Sequence, residues 1–429
     1  MAFRVAMWWI LCYAGLSVFA LAAPLEDKDR YGVLLDAGSS STKLKIYKWQ
    51  NPTTPQSLPK IHLMYNSKSS PGLSTFAHDK VKLREYIEHI ITEARSKVPK
   101  QSHSQTPIYL MATAGLRFLP ANDAKRLMEG TKSLLQDKDF SPFVYTPAGV
   151  EILSGEEEGV YAWIAANYLL GFFDQKRSEL DSTGVLEMGG GSTQITFVPR
   201  DPLYAGEFKV TVAGREYGLY VHSYLNFGFD AITLQLANEL AKINKDSKLN
   251  DPCRLRGDTK DVTLPDGRQL ALTGSGDPDT CKQILSNLLR PATGMDCEPK
   301  PCAVGSVYQP SVGDGQFLAT QVFTFAPQRL NATGEGNRLD LVKLEDAAYR
   351  FCKKSIQEAV AAGFSEKHAS GECLMAIYTS ALFTLSYGFP KDTQNIKVTS
   401  KVGDQTIDWA IGAMLVELSK SICSVTRRK

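Results

Sequence analysis

A repeat inside the chain limits what it can fold into more than any other feature. The segment Gly32-Val-Leu-Leu-Asp36-Ala-Gly38-Ser39-Ser40-Ser41-Thr42-Lys-Leu44-Lys-Ile46 returns as Gly184-Val-Leu-Glu187-Met-Gly189-Gly190-Gly191-Ser192-Thr193-Gln194-Ile195-Thr-Phe197. Aligning Asp36 with Glu187 brings Gly38 onto Gly189, Ser41 onto Ser192 and Thr42 onto Thr193, and the alternating Leu44 and Ile46 onto Ile195 and Phe197. The apolar run before each acid reads as a buried strand, and the alternation after each turn as a half-buried one. Each copy is therefore strand, acid, Gly/Ser turn, strand. Glycines at such a tip let backbone N–H groups approach an anion closely, and hydroxyls add donors. The carboxylate can hold a metal ion through its waters. One Gly-rich hairpin alone is commonplace. Two in register, with an acid at the same place, point to a duplicated phosphate site that clamps a metal-polyphosphate from both sides.

Two further segments add chemistry. Pro107-Ile-Tyr-Leu-Met-Ala112-Thr113-Ala114-Gly115-Leu-Arg117 reads as an apolar strand ending where Thr113 and Gly115 offer hydroxyl and N–H groups; a helix follows, from Asn122-Asp123 to about residue 135. Val150-Glu-Ile-Leu-Ser154-Gly155-Glu156-Glu157-Glu158-Gly159 reads as a strand running into a helix. Capping and the helix dipole favour glutamates in a first turn. They do not account for Gly159, which costs about 1 kcal/mol inside a helix and implies close approach of something else. A carboxylate at that junction has the chemistry of a general base for water.

The remaining sequence bounds the setting. With 429 residues the chain is long enough for two domains, and a net charge of +2 gives no support to a nucleic-acid binder, which usually shows a clustered basic face. Arg4, the apolar run 5–23 and Ala20-Leu21-Ala22 read as a signal peptide over 1–22, with a single uncleaved anchor as the alternative. The stretch 409–423, interrupted by Glu417 and Lys420, reads as an amphipathic helix, which leaves no second span. Asn331-Ala332-Thr333 is a usable glycosylation sequon. Of eight cysteines, Cys12 falls in the leader. Export makes disulfides the default among the other seven, whose odd number leaves at least one free or paired between chains. Residues 224–243 read as helical, 253–302 as an irregular insert and 344–363 as a helix.

The motifs together resemble a known family. Asp36-Ala-Gly-Ser-Ser-Ser-Thr, Ala112-Thr-Ala-Gly-Leu-Arg, Ser154-Gly-Glu-Glu-Glu-Gly and Gly189-Gly-Gly-Ser-Thr-Gln are similar, in order, to the first four conserved regions of the apyrase or ecto-nucleoside triphosphate diphosphohydrolase family, which includes Golgi guanosine diphosphatases. Ser386-Tyr-Gly-Phe and Asp408-Trp409 resemble a degenerate fifth region, so the likeness runs from Tyr31 to Leu418. It implies an α/β, actin-like (ribonuclease H-like) duplicated fold with the substrate between two lobes: lobe I over 28–154 plus 400–429, lobe II over 155–399 with the insert 253–302. It implies hydrolysis of nucleoside tri- or diphosphates with Ca2+ or Mg2+. Glu158 would activate the water, and Ser192 and Gln194 would position it. Asp36 and Glu187 would hold the metal through waters, although many relatives have Asp in place of Glu187. Ser39, Ser40, Thr113, Ala114, Gly189, Gly190 and Gly191 would grip phosphates, and Phe325 and Tyr387 would contact the base. The family's spacings imply Cys297–Cys302 and Cys352–Cys373; Cys253–Cys281 is the pair left nearby, with Cys423 free. A monomer, secreted or lumenal in the endoplasmic reticulum or Golgi, is expected. An exopolyphosphatase-like hydrolase and a non-catalytic nucleotide-binding protein are the alternatives, with a sugar-kinase-like transferase ranked last.

Overall fold

Both copies of the repeat fold as antiparallel hairpins, and each hairpin is the start of its own sheet. The computed structural model describes residues 29–50, 57–174, 177–244, 246–290, 298–418, 420 and 424–427. The signal segment, the pair Cys297–Cys302 through its Cys297 end, and Cys423 lie outside the described residues.

In the first sheet β1 (Arg30–Ala37) pairs with β2 (Thr42–Trp49), which sets Asp36 opposite Lys43. β3 (His62–Ser69) flanks β2, while β4 (Pro107–Ala112) and β5 (Val144–Ile152) add in parallel beyond β1, giving the order β3-β2-β1-β4-β5. Helices Lys80–Lys97 and Ala121–Gln136 supply the crossovers. The first is capped by Asp79, which accepts from the Lys82 N–H, and buries Leu83, Ile87, Ile90, Ile91 and Ala94, the stripe that helical periodicity requires. β4 and the Val33–Leu35 centre of β1 are apolar because they are covered on both faces.

The second sheet repeats this plan. β6 (Gly184–Met188) pairs with β7 (Ser192–Phe197), setting Glu187 opposite Gln194. β8 (Glu207–Val212) and β9 (Arg215–Leu225) follow, with β9 against β7. A small inserted sheet holds β10 (Lys248–Asp251), β11 (Thr259–Thr263) and β12 (Gln269–Gly274). β13 (Phe317–Gln321) and β14 (Ile396–Val398) then add in parallel beyond β6, as β4 and β5 do beyond β1. β15 (Lys401–Val402) and β16 (Gln405–Thr406) form a short hairpin, and β17 (Ser424–Arg427) closes the edge against β8. The duplication is thus topological as well as sequential.

Helices Gly155–Leu169 and Trp409–Leu418 lie between the sheets in one apolar layer with Leu34 and Met111 of the first and Val210 and Leu219 of the second. Several expectations change here. The helix from Trp409 is buried at every position through Val416 rather than amphipathic, because both sheets enclose it; a Cβ on Gly412 would fall 1.9 Å from the Tyr161 carbonyl oxygen. Assignment of 400–429 to the first lobe fails at β17, which belongs to the second sheet. Residues through Leu225 are strand, and the helix starts at Phe229. The region 344–363 is two helices, Leu341–Cys352 and Ile356–Ala361, broken before the capping box of Ser355. The insert is not irregular: besides its small sheet it carries helix Pro278–Leu289. Disulfides Cys253–Cys281 and Cys352–Cys373 are formed, with Cα–Cα separations of 4.9 Å. No helix of the described residues is long and apolar enough to cross a membrane.

Candidate active site

The two hairpin tips meet across a cleft of roughly 250 Å³ between the sheets. Each tip is closed by the same bond: Gly38 N–H to the Ser41 carbonyl at 3.0 Å, and Gly189 N–H to the Ser192 carbonyl at 2.9 Å. The carbonyls of Gly189 and Gly190 accept from Phe229 and Ala231 at 2.9 and 3.0 Å, and that of Gly191 accepts from Asn226 at 2.9 Å. The peptide oxygens are thereby held away, which leaves the N–H edge of the tip for an anion. Glycine is required because the lobes touch here. A Cβ on Gly191 would fall 2.7 Å from the Ala114 Cβ, and one on Gly190 would fall 2.8 Å from the Ser39 Oγ. Ser39, Ser40, Thr113, Ala114, Gly189, Gly190, Gly191, Asp36, Glu187, Glu158 and Ser192 all line this cleft.

The three glutamates of helix Gly155–Leu169 separate by role. Glu157 completes a capping box: its carboxylate accepts from Ser154 N–H at 2.8 Å and its own N–H donates to Ser154 Oγ at 3.1 Å. Glu158, one position on, turns into the cleft and is only 8% exposed. Gly159 lets the helix lie directly on the second sheet, since a Cβ there would meet Thr196 Oγ1 at 2.7 Å and Val221 Cγ2 at 2.8 Å. The close approach inferred from that glycine is therefore by the sheet.

Glu158 accepts from the Arg117 guanidinium and from Gln194 Nε2 at 3.3 Å. The same Gln194 nitrogen reaches Ser192 Oγ at 2.9 Å and Ser223 Oγ at 3.0 Å. Burial pushes the Glu158 carboxyl up to about 7 against the pull of Arg117, with Asp36 adding to the rise. Burial, followed by repulsion from Glu158 and Asp408, holds Glu187 well above the carboxylate range. Two buried acceptors here, Glu187 Oε2 and Gln194 Oε1, meet no hydrogen-bond donor. Unsatisfied buried oxygens beside crowded carboxylates fit a hydrated hard cation, whose waters would donate to them. Among the described residues no three Asp, Glu, His or Cys side chains converge as direct ligands. The residues present therefore fit a cation held through its waters.

Four residues of the site were given no role by the motif reading. Arg117 ends the second motif and reaches the base position. Lys43 and Asp408 line the cleft, and Lys45 forms a buried ion pair with Asp408. The repeat carried a signal for Lys43, which aligns with Gln194. Alternation hid it, by making the polar face of β2 look solvent-facing when it borders the other lobe. The two base-contact expectations are corrected. Tyr387 is core, 1% exposed, bonded to Thr193 Oγ1 at 3.2 Å and stacked on Phe383. Phe325 is 41% exposed, lies outside the cleft lining and has Arg329 over its ring. The aromatic rings lining the cleft are Phe229 and Trp409.

Comparison with known proteins places this geometry. Among solved structures, nucleoside triphosphate hydrolases from Neospora caninum match with a TM-score of 0.66 at 17% identity, covering 92% of this chain and 93% of that one. That likeness is one of fold, and the fold is the expected two-lobed actin-like α/β architecture. Ectonucleoside triphosphate diphosphohydrolase 8 of Rattus norvegicus is 31% identical over 418 residues, covering 91% of this chain and 83% of that protein. Ectonucleoside triphosphate diphosphohydrolase 1 of Mus musculus is 30% identical over 438 residues, covering 93% and 84%. A family model described as GDA1/CD39 (nucleoside phosphatase) matches residues 22–427, which include both tips and Glu158, and the chain belongs to that family.

Proposed function

We propose that the protein hydrolyses nucleoside tri- and diphosphates in the interlobe cleft, releasing inorganic phosphate. The observation that carries this reading is the buried Glu158 carboxylate, held by Arg117 and Gln194 between two glycine tips. The terminal phosphate sits between the tips, where Ser39, Ser40, Thr113 and the N–H groups of Ala114, Gly190 and Gly191 donate to its oxygens, while Gly189 holds the tip closed through its bond to Ser192. Gln194 and Ser192 orient a water toward phosphorus, in line with the bond to be broken. Glu158 takes the water's proton as its oxygen bonds to phosphorus. The bond from phosphorus to the bridging oxygen breaks, and the shortened nucleotide leaves with that electron pair. Asp36 and Glu187 would hold Ca2+ or Mg2+ through its waters, and the bound cation would supply charge neutralisation on the polyphosphate oxygens.

The two formed disulfides support an oxidising, exported setting. Asn331 is exposed in a left-handed turn, φ 58°, and is accessible for glycosylation. Phosphate release from ATP, ADP, GDP, UDP and inorganic tripolyphosphate, with either cation, tests the reading. Nucleotides should turn over faster than tripolyphosphate, and the reverse preference would move the protein to the polyphosphatase class.

The general-base role also fixes a pH profile. The base works deprotonated, so kcat/KM should fall as pH drops through about 7, the value at which burial holds Glu158. Arg117 pulls that value down, so Arg117→Met should shift the acid limb to higher pH. A limb that stays in place in Arg117→Met would count against Glu158 as the titrating group.

A further inference from the structure

Lys43 has no assigned role in the reaction above, yet it stands in the same cleft. It occupies the position in the first hairpin that Gln194 occupies in the second. Asp36 pairs across the strands with Lys43 as Glu187 pairs with Gln194. The duplicated fold therefore sets two polar side chains at related places, a buried amide that holds Glu158 and an ammonium that lines the cleft.

We propose that Lys43 is a catalytic residue that contacts the terminal phosphate and supplies a permanent positive charge to it. The inference rests on the hydrolase reading above. Three observations carry it. The Lys43 ammonium meets Asp36 Oδ2 at 3.2 Å, its one acceptor among the described residues, so two of its three N–H donors stay available. Its side chain is 38% exposed and lines the cleft, whereas Lys45, two residues along the same face, is buried and committed to Asp408. Third, Lys68 on β3 stands directly opposite Lys43 and lines the same cleft. Like charges opposite one another on a sheet are unfavourable. Asp36, with Asp408 and Glu187 farther off, offsets the charge of Lys43, and a phosphate anion between the two ammonium groups would offset that of Lys68.

The rival role for Lys43 is to neutralise Asp36 alone. A cycle of variants separates the two. Binding of the non-hydrolysable β,γ-imido analogue of ATP is measured in EDTA for wild type, Lys43→Met, Asp36→Asn and the double variant. A phosphate contact predicts that Lys43→Met weakens metal-free binding by about tenfold or more, the scale of a charge-assisted hydrogen bond. Asp36→Asn, which frees the ammonium, should bind as tightly as wild type or tighter, and the double variant should stay weak. Lys43→Arg should retain most of the affinity. Lys43→Gln, which copies the residue of the second hairpin, replaces Lys43→Met if that variant does not fold. Wild-type-like binding by the double variant would overturn the proposal and leave only the neutralising role. Hydrolysis by the wild type in the same preparation, with cation restored, reports separately on the hydrolase reading.

Discussion

Glu158→Gln should lower turnover by about 10²–10⁴-fold, the usual worth of a positioned general base, while the affinity for a non-hydrolysable nucleotide analogue stays close to wild type. The amide keeps the size of the side chain and an oxygen that accepts from Arg117, but it cannot take a proton from water. The adjacent glutamates make the comparison sharp. Glu157 caps its helix from outside the cleft, and Glu156 likewise does not line the cleft. Their Gln variants should lose at most about 1 kcal/mol of stability through weakened capping and none of the chemistry. Initial rates of phosphate release for the three variants decide the matter. More than about a tenth of wild-type turnover in Glu158→Gln would remove Glu158 from the base role.

Chelation should have an effect of similar size. Glu187 is buried among Glu158, Asp408 and Asp36 with one oxygen lacking a donor, an arrangement costly for an anion without a compensating cation. Exhaustive EDTA treatment should therefore cut hydrolysis by about 10²-fold or more, the several kcal/mol such charge neutralisation contributes. Restoring Ca2+ or Mg2+ should recover the rate and raise the melting temperature, because the cation binds only the folded arrangement. Full turnover in EDTA, or a melting temperature indifferent to either cation, would contradict the assignment of Asp36 and Glu187.

The parts of the site that local chemistry specifies were legible in the sequence. An acid followed by a Gly/Ser turn, present twice, located both tips. The strand ending at Ser154-Gly155 and the run of first-turn glutamates located the start of the helix that carries Glu158. In the structure each hairpin is extended by two parallel strands, so the repeat also marks the shared part of the two sheets. What escaped notice depends on partners distant in sequence. Glu417 and Lys420 made the last helix look amphipathic, because its burial comes from the Gly155–Leu169 helix and from both sheets. β17 pairs with β8 across most of the second lobe, a register that no local pattern announces. Tyr387 has the composition of a base contact, but it packs against Tyr224 and Phe383 behind the second hairpin. Lys43 looked solvated because alternation alone cannot tell water from a facing lobe.

Hydrolysis of ATP in oxygen-18 water tests the central claim most directly, since it reports which atom the activated water attacks. Attack on the terminal phosphorus, with Glu158 as base, places one labelled oxygen in the released phosphate and none in the nucleotide product, and Glu158→Gln should lose this incorporation in step with turnover. Label appearing in the nucleotide product, or incorporation that persists undiminished in Glu158→Gln, would contradict the account.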